Sequence, residues 1–247
     1  MLKISFVIPA HNEEKLIGKC LKSVFEEIKR GDYQTEVIVV DNVSSDKTRE
    51  EALKFKGVTV VNEPFKGLVQ ARRAGFVVST GELVANIDAD TMLPKGWLQK
   101  VMSEFEKDDN LVALSGPFIY HDLDIIDRVL IKIFYAFGYI FHLLFHYVFR
   151  VGAMLQGGNF VIRREALIKV GGYDLSIDFY GEDTDVARRI SKVGKVKWAW
   201  TLPMYASGRR LREEGIVVSG ARYAINYFST IFSHRPVTRT YTDIRSR

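Results

Sequence analysis

The chain has 247 residues, and its 35 lysine and arginine residues outnumber its 30 aspartate and glutamate residues, which gives a formal net charge of +5. Hydrophobic residues make up 47% of the chain, a share that excludes an intrinsically disordered or low-complexity protein. The single cysteine, Cys20, excludes an internal disulfide framework and a cysteine-rich zinc site. A pI of about 9.1 is compatible with nucleic acid, nucleotide phosphates or an anionic membrane as partner.

Strands and helices are predicted to alternate along the first half of the chain. The apolar segment at residues 3–9 predicts a first strand; it is too short for a signal-peptide core and has no small-residue cleavage site, which predicts a cytoplasmic protein. Apolar residues at helical spacing between Ile17 and Ile28 predict a helix. The β-branched residues 37–40 predict a strand buried on both faces. Further strands are predicted at 58–61, 83–87 and 111–114, and further helices at 46–56, 67–79, 94–108, 183–193 and 216–232.

This alternation with short connections predicts an α/β fold with a mostly parallel central sheet flanked by helices. In such a sheet, ligands bind beyond the carboxyl ends of the strands. Glu13 follows the first predicted strand, Asp41 and Asn42 follow the second, and Asp88 and Asp90 follow the fourth. We therefore expect these polar side chains to meet at one edge of the sheet.

Asp88 and Asp90 have the D-x-D spacing at the end of a predicted strand. Residues two apart in an extended segment point the same way, so both carboxylates can reach one site. Paired carboxylate oxygens suit Mg²⁺ or Mn²⁺, with phosphates completing the shell. Most isolated D-x-D pairs are solvated turns, but a place at the end of a buried strand favours a metal site.

A second acidic pair, Glu182 and Asp183, precedes a predicted helix. Acidic side chains at the start of a helix are typical of capping, since they favour the helix dipole. The alternative is a carboxylate general base at the mouth of a site. Taken alone, the segment favours capping.

Six short motifs nevertheless occur in an order that is highly specific as a set. Together they resemble the family 2 glycosyltransferases of the GT-A fold, over about residues 1–200. The motifs are IPAHNEE (8–14), VVDNVSSDKT (39–48), GLVQARRAG (67–75), DAD (88–90), GGNFVIRREALIKVGGYD (157–174) and GEDTDVARR (181–189).

The resemblance implies an inverting glycosyltransferase that uses Mn²⁺ or Mg²⁺ and moves a sugar from a UDP-, GDP- or dTDP-sugar to an acceptor hydroxyl or phosphate. It implies a single GT-A domain at 1–233, with a nucleotide-binding half at 1–120 and an acceptor-side half at 121–233. The remaining residues, 234–247, would form a basic C-terminal tail.

The resemblance also implies roles for single residues. Asp183 would be the catalytic base with Glu182 beside it, and Asp90 with Asp88 would hold the metal. On a helix, Arg72 is by itself more typical of a solvated face. The chain departs from many relatives at Asn42, where a second aspartate is usual and a charge is lost. The implied contacts to the nucleotide sugar are Pro9, Ala10, Glu13, Asp41, Arg72, Asp88, Gly158, Asn159, Arg209 and Arg210.

A long apolar helix is predicted near 125–150, because the 17 residues from 133 to 149 contain no acidic or basic side chain other than histidine. Its length is at the lower edge of a membrane span. A single span would separate Asp90 from Asp183, so it is excluded if these two share a site. One polar stripe follows the helical spacing: Arg128, Lys132, Tyr135, Tyr139, His142 and His146.

Three interpretations of this helix remain open: a core helix, an oligomer contact, or a helix in the membrane interface. The third would bring residues 128–150 and the basic tail to the cytoplasmic face of a membrane, and would suit a glycan or lipid-linked acceptor.

Other functions are disfavoured. The first strand lacks the glycine-rich loop of an NAD enzyme or a sugar nucleotidyltransferase, and no nucleic-acid-binding motif is present. The main alternative is a catalytically inactive, membrane-associated binding protein of the same family. The intact Asp88, Asp90 and Asp183 argue against it.

Overall fold

The computed structural model of the protein describes residues 2–238, 241 and 243. Its strands and helices follow the predicted alternation. The strands are β1 (Ile4–Ala10), β2 (Thr35–Asp41), β3 (Val58–Asn62), β4 (Leu83–Ile87), β5 (Thr91–Met92), β6 (Leu111–Ser115), β7 (Phe118–Tyr120), β8 (Asn159–Arg163), β9 (Lys195–Trp198) and β10 (Met204–Ala206). The helices are α1 (Ile17–Ile28), α2 (Thr48–Leu53), α3 (Leu68–Val78), α4 (Trp97–Lys107), α5 (Ile125–Leu143), α6 (Arg164–Lys169), α7 (Glu182–Ile190), α8 (Arg209–Glu214) and α9 (Ile216–Ser233).

A central seven-stranded sheet has the order β3-β2-β1-β4-β8-β6-β9. Strand β1 pairs in parallel with β2 and β4, whereas β8 runs antiparallel between β4 and β6. A small second sheet has the order β5-β10-β7. The predicted mostly parallel sheet flanked by helices is confirmed; the reversed central strand is an addition that the sequence pattern did not predict.

Helices cover both faces of the sheet, which explains why its strands are apolar on both sides. Along β1, Phe6 and Ile8 pack with α1 and α4, while Val7 lies on the opposite face, against α3, in a cluster that also includes Val186 of α7. Cys20 is buried in the first of these clusters, so its predicted place in the core is confirmed.

Helix α5 confirms the apolar helix predicted near 125–150. Its N-cap is Asp124, whose carboxylate accepts a hydrogen bond from the Asp127 backbone N–H. A π-helical turn, Leu144–Val148, continues it. By length and composition, the 24 residues Ile125–Val148 could span a membrane. Only 22% of the most apolar stretch of this segment is buried in the protein.

Tyr135, Tyr139, His142 and His146 of the polar stripe of α5 face the protein, whereas Lys132 and much of the apolar surface are exposed. Tyr135 and His142 in the stripe are buried. Neutral imidazole nitrogens accept backbone hydrogen bonds there: His142 Nδ1 from Met154 (3.1 Å) and His146 Nε2 from Val196 (3.2 Å). Burial lowers the pKa of His142 to about 4, which keeps it an acceptor. Because most of its apolar surface is exposed, the helix is not enclosed in a core, and the core-helix interpretation is wrong.

Candidate active site

The carboxyl edge of the sheet borders a cavity of about 680 Å³. Its polar wall combines the loop after β4 with the starts of α7 and α8, segments that lie far apart in the sequence. Asp90 and Asp183 both line this cavity, an arrangement that a single membrane-spanning α5 would not allow. The charged residues lining it are Arg72, Asp88, Asp90, Glu182, Asp183, Arg209 and Arg210.

Arg72 on α3 is the central cation of this wall, and its side chain is fully buried. Its guanidinium lies 3.1 Å from Asp88 Oδ1, contacts Glu182 Oε1 and packs over the ring of Phe160. Burial raises the pKa of Glu182, and the Arg72 charge opposes that rise. Arg72 therefore lies in the site and not on a solvated helix face.

Asp183 is oriented by backbone donors. Its Oδ2 accepts from the Gly157 N–H at 2.8 Å and its Oδ1 from the Thr184 N–H at 2.7 Å. The residue before the pair, Gly181, has a positive φ of 79°, which lets α7 begin directly at Glu182. Burial raises the pKa of Asp183, so its carboxylate holds a proton more readily than an exposed aspartate.

Arg209, the first residue of α8, forms ion pairs with two predicted site residues, Asp90 and Glu13. Its Nη2 lies 3.1 Å from Asp90 Oδ2 and also contacts the carboxylate of Glu13. The turn before it is held by Asp122, which accepts from Ser207 Oγ (3.0 Å) and from the Gly208 N–H (2.6 Å). These contacts place the Arg209 charge on the acidic wall.

Gly158 brings its backbone against Asp88. Its φ is +78°, and a Cβ at this position would lie 2.2 Å from Asp88 Oδ2. Neither the conformation nor the space tolerates a side chain, so glycine is required here for the close approach.

Asn159 is a correction to the predicted contact set. Its side chain is fully buried, donates to the carbonyls of Gly116 (2.9 Å) and Leu202 (3.0 Å), and accepts from Trp97 Nε1 (3.2 Å). These bonds use its amide to support the loops behind the site, because a fully buried amide needs partners within the protein.

The predicted nucleotide-binding residues Pro9, Ala10 and Asp88 line a small adjoining cavity. Asp41 is buried beside it and accepts from the Ser44 N–H at 3.3 Å. Asn42, the departure from the family pattern, shapes this region: its Oδ1 accepts from Gly67 N–H (2.8 Å) and its Nδ2 donates to the Phe65 carbonyl (2.7 Å).

Part of the predicted tail contacts this end of the site. The ring of Tyr241 stacks on that of Phe179 at 4.6 Å between centroids, and Asp243 accepts from Lys66 Nζ at 2.6 Å. The tail arginines Arg239, Arg245 and Arg247 lie outside the described residues.

Three contributors were missed in the sequence. The Tyr135 hydroxyl donates to Gln156 Oε1 (2.8 Å) and connects α5 to the cavity wall. Asp122 holds the Arg209 turn, as described above. The place of Tyr135 in the polar stripe could have indicated that it faces the site. Asp122 and Gln156 belong to no motif, so the sequence gives no indication of their roles.

The donor set fits a divalent cation. Asp88 and Asp90 offer carboxylate oxygens, and Asp90 already forms an ion pair with the guanidinium of Arg209. Among the residues that the structure describes, no group of three or more histidine, cysteine or acidic side chains could hold a metal ion alone. Mg²⁺ in proteins keeps several waters and binds through one or two carboxylates plus substrate phosphates, which is the arrangement these residues can offer.

The comparison of the sequence with protein families decides the class. The model of glycosyl transferase family 2 matches residues 5–171. The chain belongs to glycosyl transferase family 2. This confirms the resemblance seen in the motifs, and the glycosyltransferase match covers β1 through β8. The charged residues of α7 and α8 come after the matched region.

Curated relatives are similar over parts of their length. Probable glycosyltransferase YdaM of Bacillus subtilis (strain 168) is 29% identical over 207 residues, which cover 78% of the chain and 47% of that relative. Undecaprenyl-phosphate 4-deoxy-4-formamido-L-arabinose transferase of Proteus mirabilis is 30% identical over 117 residues, covering 45% of the chain and 36% of the relative. The chain thus spans less than half the length of these relatives.

Solved structures confirm the fold. Mannosyltransferase PcManGT from Pyrobaculum calidifontis, in complex with GDP-Man and Mn²⁺, matches with a TM-score of 0.71 and 20% identity, covering 93% of the chain and 64% of that structure. Glucosyl-3-phosphoglycerate synthase from Mycobacterium tuberculosis, in complex with Mn²⁺ and UDP-glucose, matches with a TM-score of 0.61 and 19% identity, covering 94% and 79%.

Proposed function

We propose that the chain transfers a sugar from a nucleoside diphosphate sugar to an acceptor hydroxyl or phosphate, with inversion at the anomeric carbon. The observation that carries this proposal is the convergence of Asp88, Asp90 and Asp183 with Arg72 and Arg209 on one cavity at the carboxyl edge of the sheet. Family membership and the GDP-Man and UDP-glucose complexes of the matched structures support a nucleotide-sugar donor.

The acidic wall would hold the donor diphosphate through a divalent cation, Mn²⁺ or Mg²⁺. Asp90 would be the principal ligand and Asp88 its neighbour, while Arg72 keeps the Asp88 carboxylate in place. When bound, the cation would neutralise charge on the departing diphosphate. Arg209 and Arg210 add positive charge to the same cavity and would bind the phosphates directly.

Asp183 would act as the general base. Its carboxylate takes the proton from the acceptor, the acceptor oxygen bonds to the anomeric carbon, and the bond from that carbon to the diphosphate oxygen breaks. The two backbone N–H donors keep the carboxylate fixed during this step. The nucleoside would lie along Pro9, Ala10, Glu13 and Asp41.

Replacement of Asp90 by alanine tests the metal and donor assignment. We expect donor hydrolysis with Mn²⁺ to fall by at least roughly a hundredfold, because a transition-state charge loses its stabilisation. Release of nucleoside diphosphate from UDP-, GDP- and dTDP-sugars is the measurement. Asp109→Ala is the matched control, since the Asp109 side chain is fully solvent-exposed.

Unchanged turnover in Asp90→Ala would contradict the assigned site. A native protein that binds a nucleotide sugar in calorimetry, yet neither hydrolyses nor transfers it, would instead favour the inactive binding protein.

We also propose that the acceptor is lipid-linked and that the acceptor-side half, 121–233, meets the cytoplasmic face of a membrane. The supporting observation is the outward apolar face of α5 and its continuation, where Phe137, Ile140 and Val148 are 61%, 52% and 65% exposed. Lys132 and Arg150 are exposed near this face and would meet anionic headgroups. The name of the Proteus mirabilis relative includes undecaprenyl phosphate, a lipid phosphate.

Vesicle binding tests this contact. We expect Ile140→Asp/Val148→Asp to reduce co-sedimentation with phosphatidylcholine–phosphatidylglycerol vesicles by about tenfold or more, because burying each native side chain stabilises by about 1.5–3 kcal/mol. Leu53→Asp, an exposed apolar position on α2, is the control and should bind as the native protein does. A double variant that changes a dimer to a monomer while vesicle binding stays the same would assign the face to an oligomer.

A further inference from the structure

The cavity does not end at its charged wall. It extends between α5 and α9, where the lining is largely apolar apart from Tyr223, Asn226 and Tyr227. Helix α5 contributes the rings of Phe134, Phe137 and Phe141. Helix α9 contributes small residues on one face: Gly220, Ala221 and Ala224.

The two helices lie side by side and run parallel. A Cβ on Gly220 would lie 3.8 Å from the ring of Phe134. The ring centroids are 4.9 Å apart for Phe141 and Phe228, and 5.5 Å apart for Phe145 and Phe232. The partners are 86 or 87 residues apart in each case, so the helices keep one register over this stretch.

This register creates a groove that is open at one end. Aromatic pairs close the space between the helices at Phe228 and Phe232. Nearer the start of α9, the missing side-chain volume at Gly220, Ala221 and Ala224 leaves the space open. Val217, at that end of the groove, is 79% exposed, so the groove reaches the apolar surface proposed above to meet lipid.

We infer that the groove between α5 and α9 binds the hydrocarbon chain of the acceptor, with the acceptor head at Asp183 and Arg210. This inference rests on the proposed function and specifies its acceptor as a single-chain amphiphile. The stretch lined by Phe134, Phe137 and Phe141 of α5 and by Gly220, Ala221 and Ala224 of α9 has no hydrogen-bonding side chain among these six residues, so the backbone N–H and C=O groups of a peptide would lack partners there, which disfavours a peptide. A hydrocarbon chain needs no such partners and is favoured by apolar burial.

Binding of n-alkyl phosphates, from butyl to decyl and below their micelle concentrations, tests the groove by calorimetry. For the native protein we expect the dissociation constant to fall about fourfold per added methylene until the chain reaches the end of the groove. Ala224→Trp fills the groove and should weaken decyl phosphate binding by about tenfold or more. Ile225→Trp, the next residue and 55% exposed, is the matched control and should bind normally.

Each variant is first compared with the native protein by thermal unfolding, and Gly220→Leu replaces Ala224→Trp if the latter fails to fold. If the dissociation constant still falls with alkyl chain length in the filled variant, the chain binds elsewhere and the inference is overturned. The inference is also overturned if the native protein shows no dependence on alkyl chain length. If the native protein is a dimer that does not bind alkyl phosphates, and Ala224→Trp makes it a monomer, the groove would be assigned to a second copy of the chain.

Donor hydrolysis on the same samples keeps the two proposals apart. Hydrolysis without any dependence on alkyl chain length would contradict the groove and leave the transfer reaction standing. The expected chain-length dependence without hydrolysis of any nucleotide sugar would contradict the transfer reaction and leave a lipid-binding groove.

Discussion

Asp183→Asn is expected to lower the rate of sugar transfer by about 10²–10⁴-fold, the range typical of a lost general base. The amide has nearly the same shape, but it cannot take the acceptor proton. Donor binding should change little, because Asp183 is assigned to the acceptor and not to the diphosphate. Single-turnover transfer and calorimetric binding of the donor measure the two effects separately.

The pH dependence sharpens this test. Burial raises the pKa of Asp183, so the native rate should fall on acidification at a higher pH than an exposed aspartate would give, because the protonated carboxyl is no longer a base. In Asp183→Asn the acid limb attributable to this group should vanish. Asp178→Asn, at an exposed position shortly before α7, serves as the control. A native-like rate in Asp183→Asn would refute the assignment.

Arg72→Met is expected to cost roughly 3–5 kcal/mol of the free energy of unfolding at alkaline pH, where the native Glu182 is ionised, because it leaves the Glu182 carboxylate buried without its cation. The cost should depend on pH. Burial raises the folded-state pKa of Glu182 to about 8 in the native protein, and loss of the Arg72 charge raises it further in the variant. Both proteins lose stability alike between the unfolded pKa and the native folded pKa, and the variant falls below the native protein as pH rises through the native folded pKa.

Urea unfolding at neutral and at alkaline pH measures this difference. Arg73→Met, the next residue on α3 and exposed, is the matched control and should be close to native. Arg72→Met/Glu182→Met should recover much of the loss, since the unpaired charge is removed. Equal stability of the Arg72 and Arg73 variants would contradict the buried pair.

The fold could be predicted from the sequence where periodicity is strong. The unbroken β-branched run 37–40 lies within β2, and the apolar spacing from Ile17 to Ile28 matches α1. The predicted helix 46–56 is shorter in the structure, at Thr48–Leu53. Before its start the Asp46 carboxylate accepts from the N–H groups of Thr48 and Glu14, and beyond its end the ring of Phe55 stacks on that of Phe25. Helix boundaries thus depended on tertiary contacts more than on composition.

The site was predictable only where its residues stand in motifs. Asp88, Asp90 and Asp183 converge on one cavity, as the ordered motifs implied. The contact between Arg72 and Glu182 joins positions 110 residues apart, and the support of the Arg209 turn by Asp122 joins positions more than 80 apart. Such pairings follow from topology, which local patterns do not contain.

During synthesis, the central sheet cannot be completed before the antiparallel strand β8 has left the ribosome. It is the only hydrogen-bonded link, among the described strands, between β4 and the β6–β9 pair. A nascent chain that has not yet released residues 159–163 presents β4 as an unpaired apolar edge, a form prone to aggregation. The glycines that meet Asp88 and Asp183 arrive with this strand. Joining of the two parts of the sheet should therefore be a late event on the ribosome, and the acidic wall is completed only afterwards, when α7 and α8 have been released.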